Sequence, residues 1–384
     1  MKEKILAIIF ALVMIILAGK SWYGFIASYF FKIELASSTQ LKFKKISESE
    51  VEVTGYDLGL EGTLKIPKKI LIGLDVYSVA GIGDVAFNGC KGLKSIKIPK
   101  SVSSIGYSAF SGCSGMESIE IPNSVKKIGY SAFLGCSRLS SIKIPEGITS
   151  VSGETFSGCR YLHSIKIPDG VTWIGNKAFS GCSGLERIEI PHSVKWIGYG
   201  AFSGCGGLSG IEIPQNITCI SDEVFSDCIG FKTIEIPKSV TGIGARAFSG
   251  CRRLTSIVIP KSVTSIGNGT FSDCRSLISI DVSSENPKYS SVDGVLYNKD
   301  MTEIIFVPKG IKGAFFIPSG VTRIGERSFE DCNDLTYIKI PKSVNDIGDY
   351  AFSGCKDLGV VILSNEVHLG KMSFDGCKSV TYVK

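Results

Sequence analysis

The thirteen cysteines of this 384-residue chain are its most reactive side chains, and twelve of them share one position, three residues after a phenylalanine. Cys90, Cys113, Cys136, Cys159, Cys182, Cys205, Cys228, Cys251 and Cys274 follow at steps of 23 residues, and Cys332, Cys355 and Cys377 resume the series. Thiols so placed offer three chemistries: disulfide exchange, metal ligation or none. If each coil of the chain contributes one cysteine, neighbours stack about 5 Å apart, which a disulfide can span. Parallel side chains that all point inward make a poor bridge, however, so a ladder of free buried thiols is the preferred reading and partial bridging the alternative. A tetrahedral metal site needs ligands converging from several directions, so none is expected. Cys219 falls outside the series, between Ile217 and Ile220, and is the candidate for an exposed thiol.

Other catalytic arrangements find little support. His163, His192 and His368 are the three histidines, far apart and without a neighbouring nucleophile. The glycines follow a repeat rather than a strand–loop–helix pattern, so no phosphate cradle and no cofactor are expected. The reading is of a protein that is not an enzyme. The net charge of +6 comes from 42 basic and 36 acidic residues intermixed along the chain, with no basic stripe for nucleic acid.

The element that positions these residues is a 23-residue unit. Leu93–Cys113 reads LKSIKIPKSVSSIGYSAFSGC, and Leu254–Cys274 reads LTSIVIPKSVTSIGNGTFSDC. In Leu-x-x-Ile-x-Ile-Pro the apolar residues alternate, which gives a short strand that the proline ends. Val-x-x-Ile-Gly returns the chain with two inward residues, and its glycine, replaced at Ser152 and Ser221, marks a tight corner. One unit cannot bury its own apolar row, so the units must stack as a solenoid at about 4.8 Å per rung. Twelve rungs make a body roughly 60 Å long.

This unit resembles the BspA-type class of bacterial leucine-rich repeats, over about residues 60 to 384. The resemblance implies a repeat solenoid: a right-handed leucine-rich-repeat superhelix with a parallel concave β-sheet and a mostly irregular or short-stranded convex side. It also implies a secreted or surface-exposed protein that serves in adhesion or in host and matrix binding.

The flanks depart from the repeat. Residues 1–36 hold an apolar run from Ile5 to Ala18, broken by Lys20 and followed by aromatics; this is either a signal peptide or a retained membrane anchor, and both mean export. Residues 37–65 are expected to form a β cap through the strand Val51–Tyr56, and residues 66–384 the twelve-unit solenoid. At about 281–316 one rung carries an insertion, in which two alternating strands around Asn298-Lys299-Asp300 predict a hairpin. No distinct polar cap follows the worn last unit, which would leave a strand edge for self-association.

Two outward columns are the candidate sites. Between the two isoleucines of successive strands run Lys97, Glu120, Lys143, Lys166, Glu189, Glu212, Glu235 and Val258. Within it Lys143, Lys166, Glu189, Glu212 and Glu235 form a charged patch, its three glutamates stacked at about 5 Å unless the column is merely solvated. Trp173 and Trp196, with Tyr199 nearby, are candidate aromatic contacts for protein or sugar, or else a structural ring stack. The expected role is recognition of a protein or glycan at a cell surface, with a self-associating structural or spacer protein as the alternative and the membrane as partner if the N-terminal segment is retained.

Overall fold

A computed structural model describes residues 40–383 except 58, 74 and 363–365. The expected signal or anchor segment therefore lies outside the described residues, among which no helix is long and apolar enough to cross a membrane. The chain is a parallel-strand solenoid of about 13 turns with no α-helix among those residues.

Each coil runs through three sides. The Leu-x-x-Ile-x-Ile segments form the first sheet, where Gly62–Lys65, Leu93–Lys97, Ser118–Glu120, Ser141–Ile142, Ser164–Lys166 and Arg187–Glu189 pair in sequence. The proline then opens a tight turn, its carbonyl accepting from the valine or isoleucine three residues on, as in Val102 N to Pro99 O at 3.0 Å. The second sheet consists of two-residue strands such as Ser104–Ile105 and Lys127–Ile128, also parallel. The third side is all turns, yet it carries its own ladder: Phe110 N donates to Ala132 O and Gly112 N to Leu134 O, with equivalents in the other coils.

Inside, the phenylalanines stack from Phe87 to Phe271 at centroid distances of 5.2 to 6.0 Å. Each such ring pair adds about 0.5–1.5 kcal/mol beyond the area it buries. Beside them run the thiols, which are free. From Cys113 to Cys274 each Sγ donates to the phenylalanine carbonyl of the preceding coil, at 3.0 to 3.3 Å. That carbonyl has two lone pairs and also accepts a backbone N–H within its own coil, as from Cys113 N to Phe110 O. A plain small hydrophobe would leave the second lone pair empty, which gives cysteine a reason to recur here.

The corner glycine has a different cause from the one expected. Its φ is not positive; instead a Cβ on Gly129 would lie 2.5 Å from Gly106 C, and one on Gly175 2.4 Å from Gly153 N. Close approach of successive coils, not a left-handed turn, excludes a side chain. The left-handed position falls two residues later, at Ser108, Ser131, Glu154, Lys177, Glu223 and Arg246, which are not glycine. Where serine replaces the corner glycine, the backbone bond gives way to a hydroxyl bond: Ser152 Oγ donates to Ile128 O at 2.7 Å, and Ser221 Oγ to Ile197 O. At those two corners the second sheet is interrupted, between Lys127–Ile128 and Ser150–Val151 and between Trp196–Ile197 and Cys219–Ile220.

The first sheet also opens. Residues 208–214 and 231–237 form no strand, so pairing stops at Arg187–Glu189 and resumes at Ser256–Ile259. Between the coils of Trp196 and Cys219 both sheets are therefore unpaired. The turn side still holds there, through Gly200 N to Asp222 O, Phe202 N to Val224 O and Gly204 N to Ser226 O.

At the N-terminal end Leu41–Lys45 and Glu50–Tyr56 pair antiparallel, and Glu50–Tyr56 joins Asp75–Ile82 in the second sheet. Val51 and Val53 are fully buried, and Tyr56 stacks on Phe87 at 5.9 Å. The insertion holds the hairpin Val295–Asn298 with Glu303–Phe306, and one strand more than expected: Tyr289–Val292, joined by a turn at Asp293-Gly294 in which both residues have positive φ. Glu303–Phe306 pairs with Arg323–Ile324 and so takes the place of a second-sheet strand. The apolar core divides here, with Leu296 packed into the N-terminal part and Val295 and Tyr297 into the C-terminal part.

Candidate binding surface

In the first sheet the isoleucines flanking the outward column are buried, except Ile190 and Ile211, which are partly buried, and the residues between them are exposed, because successive strand side chains alternate. Lys97 pairs with Glu120 and Lys166 with Glu189 in register. Lys143, Lys166, Glu189, Glu212 and Glu235 are all exposed. The expectation of three glutamates on one continuous strand ladder needs correction, since Glu212 and Glu235 lie in the segments that form no strand. Two physical causes coincide at that point. Like charges directly opposite on paired strands repel, and Gly210 occupies an outward position where Ser or Arg stands in the paired coils, which weakens a strand.

Two large grooves lie over this sheet. One of about 950 Å³ is lined by Lys97, Lys100, Glu120, Lys143 and Lys166, among others. The other, about 630 Å³, takes in Glu235, Lys238, Val258, Lys261 and Glu285. Within the second, Lys261 Nζ and Glu285 Oε2 pair at 2.8 Å. Lys97 and Lys100 were not singled out beforehand, although Lys97 heads the same outward column, whereas Lys100 follows the proline and enters the groove only through the turn.

The aromatic candidates stand on the second sheet and do not join the charged column. Trp173 and Trp196 pair in register, their rings tilted at 35° with centroids 5.5 Å apart, and they are 43% and 39% exposed. Trp196 leans over the corner, where a Cβ on Gly198 would meet its Cη2 at 2.8 Å. Tyr199 is engaged elsewhere: its hydroxyl donates to Glu223 Oε2 at 2.6 Å and Lys177 Nζ lies 5.5 Å from its ring centre. The hydrogen bond to the Glu223 carboxylate raises the Tyr199 pKa. Tyr130 is likewise raised, to about 12, by its bond to Glu154.

Further along, Phe316 is 73% exposed on the first sheet, beside Lys339 in register, and no periodicity argument had marked it. On the second sheet Glu303, Arg323 and Asp346 alternate in charge from coil to coil, and His368 follows in register. Arg323 Nε lies 3.2 Å from Glu303 and 3.3 Å from Asp346, and His368 Nδ1 2.8 Å from Asp346. His368 thus has a carboxylate partner that sequence distance concealed. Burial raises the thiols, that of Cys113 to about 12 and that of Cys182 to about 12. Cys219 is exposed, as expected, and its pKa too is raised. Among the described residues no group of three or more His, Cys, Asp or Glu side chains is placed to hold a metal ion.

These stacked coils, with their parallel sheet and exposed outward column, define the leucine-rich-repeat class of solenoid. The chain belongs to the BspA-type leucine-rich repeat family: the model of the BspA type leucine rich repeat region (6 copies) matches residues 75–186, 150–278, 195–313 and 306–384. A leucine-rich repeat protein from Bacteroides ovatus ATCC 8483 is 31% identical, with 88% of this chain and 91% of that one covered and a TM-score of 0.68. A leucine rich cell surface protein from Faecalibacterium prausnitzii A2-165 is 30% identical over 90% of this chain and 80% of that one, with a TM-score of 0.48. A leucine-rich repeat protein from Eubacterium ventriosum ATCC 27560 shares the fold at 21% identity, 88% and 93% coverage and a TM-score of 0.53. Among curated proteins, none matches this chain. Proteins of this family are generally binding proteins rather than enzymes, and typically stand at the cell surface.

Proposed function

We propose that this chain is an exported, non-catalytic recognition protein that grips a protein or glycan at the cell surface through the outward face of its first sheet. The observation that carries the reading is the place of two large grooves along the exposed charged column, one taking in Lys143 and Lys166 and the other Glu235. A cradle with charged walls steers and selects a partner of complementary charge. Trp173 and Trp196 offer a secondary contact on the neighbouring face, half-buried and so already ordered. The apolar run ahead of the solenoid and the family's usual place at the cell surface support export.

Binding of the purified chain to a panel of extracellular matrix proteins and surface glycans tests this. For whatever ligand binds, reversing Glu212 and Glu235 to lysine, or Lys143 and Lys166 to glutamate, is expected to shift affinity by about tenfold. A ligand held with unchanged affinity by both variants sinks the reading, as does turnover of a substrate. A self-associating role has one supporting observation: Ser379–Tyr382 is paired with Gly359–Ile362 on one side, and its other edge meets no strand among the described residues. Scattering that rises with concentration and is abolished by Tyr382→Pro, which removes an N–H from the open edge, would favour it.

A further inference from the structure

The larger groove combines four features. Lys97, Lys100, Lys143 and Lys166 converge on it, and none forms an ion pair with a described residue. Glu120 is the single carboxylate in its lining. Its floor is paired throughout, every strand from Leu93–Lys97 to Ser164–Lys166 having a neighbour on both sides. Beside the lysine column runs a row of outward serines, of which Ser118, Ser141 and Ser164 are exposed and make no hydroxyl hydrogen bond within the protein.

We propose that this groove binds a linear anionic polysaccharide laid across the strands, with its carboxylate or sulfate groups on Lys97, Lys143 and Lys166 and its hydroxyls on the serine row. This rests on the reading that the first sheet's outward face is the working surface. Charge complementarity is the first argument: four cations without internal partners face one anion. Spacing is the second. Neighbouring strands lie about 4.8 Å apart, so Lys97 and Lys143 are about 10 Å apart and Lys143 and Lys166 about half that. A pyranose ring spans about one such step, so charges on alternate or successive sugars meet lysines in register. An extended acidic peptide repeats on one face at about 6.7 Å, out of step with the rungs. It would also find no strand edge to pair with, since the floor is fully paired. Single-stranded nucleic acid needs aromatic platforms for its bases, and the lining holds no aromatic residue.

The test uses the full chain and three probes: heparin, polygalacturonate and poly-glutamate, titrated calorimetrically at two salt concentrations. One or both polysaccharides are expected to bind more tightly than poly-glutamate, with affinity falling as salt rises. Binding of heparin alone assigns the site to sulfates; binding of both assigns it to uronates as well. Lys143→Glu with Lys166→Glu, and separately Lys143→Gln with Lys166→Gln, should weaken binding about tenfold or more and flatten the salt dependence, with the thermal midpoint unchanged. Lys232→Glu, an exposed lysine outside the groove lining, should leave binding within about twofold. The proposal is overturned if neither polysaccharide binds, if poly-glutamate binds as tightly, or if both lysine pairs can be replaced without loss. Failure with every polysaccharide while a protein ligand still depends on the outward column would remove this inference and leave the recognition function standing.

Discussion

At the scale of single residues, the thiols illustrate how position overrides intrinsic reactivity. Cysteines this numerous would suggest disulfides in an oxidising compartment, but here each ladder Sγ donates to a carbonyl of the preceding coil and is surrounded by apolar side chains. Thiolate formation is suppressed by burial, so alkylation of the native chain near pH 8 should label Cys219 first and the half-buried Cys377 slowly. The buried thiols should react only after denaturation, and mass spectrometry reads both stages; thiols that stay unlabelled in denaturant without reductant would mean bridges. A pH dependence follows from the same burial. Cys182 has a folded pKa of about 12 against an ordinary value of about 8.5. A raised folded value contributes stability that is fully present below the unfolded pKa and is lost as pH rises through the folded one. Each such thiol therefore removes about 1.4 kcal/mol per pH unit within that window. Cys182→Ala should lessen the stability lost between pH 8 and pH 10 by about 2 kcal/mol, measured by urea unfolding at both pH values.

Among elements, the corner and the ring stack govern how closely coils approach. Gly129→Ala should cost about 1–3 kcal/mol, because its Cβ meets the backbone of Gly106 and Tyr107 rather than a side chain that can swing away. Thermal unfolding checks this, and a neutral substitution would show that the coils separate freely. Ser221→Gly should act in the opposite sense, letting residue 221 donate its N–H to Ile197 as glycine does elsewhere; its amide should then gain hydrogen-exchange protection. Phe179, stacked on both sides and fully buried, should cost about 3–5 kcal/mol on truncation to alanine. The corner glycines were legible in the repeat, and so were the two serines, but not their consequence. Close approach depends on the backbone of another coil, which the unit's own residues do not specify. The left-handed residues were illegible for the converse reason: Ser108, Glu154 and Lys177 carry no glycine signal, and the stacked turn imposes their φ.

For the whole molecule, stability in a solenoid is close to a sum of coil terms and nearest-neighbour terms. Its weakest interface should lie where neighbour terms are fewest, between the coils of Trp196 and Cys219, where both sheets are unpaired and the turn-side bonds remain. Hydrogen exchange should be fastest, among interior coils, for the amides of residues 209–213 and 232–236. Uniform protection along the first sheet would count against this. The repeat length, the inward residues, the outward column and the solenoid itself were all determined by the amino-acid sequence, because each unit buries an apolar row only against a copy of itself. What the tertiary structure alone decided were the interruptions and the convergences: where the sheets open, how the insertion replaces a strand, why Lys100 joins Lys97 and Lys143 in one groove, and why Asp346 meets His368. Periodicity describes one coil and its ideal neighbour, whereas these features depend on how unlike coils settle against one another.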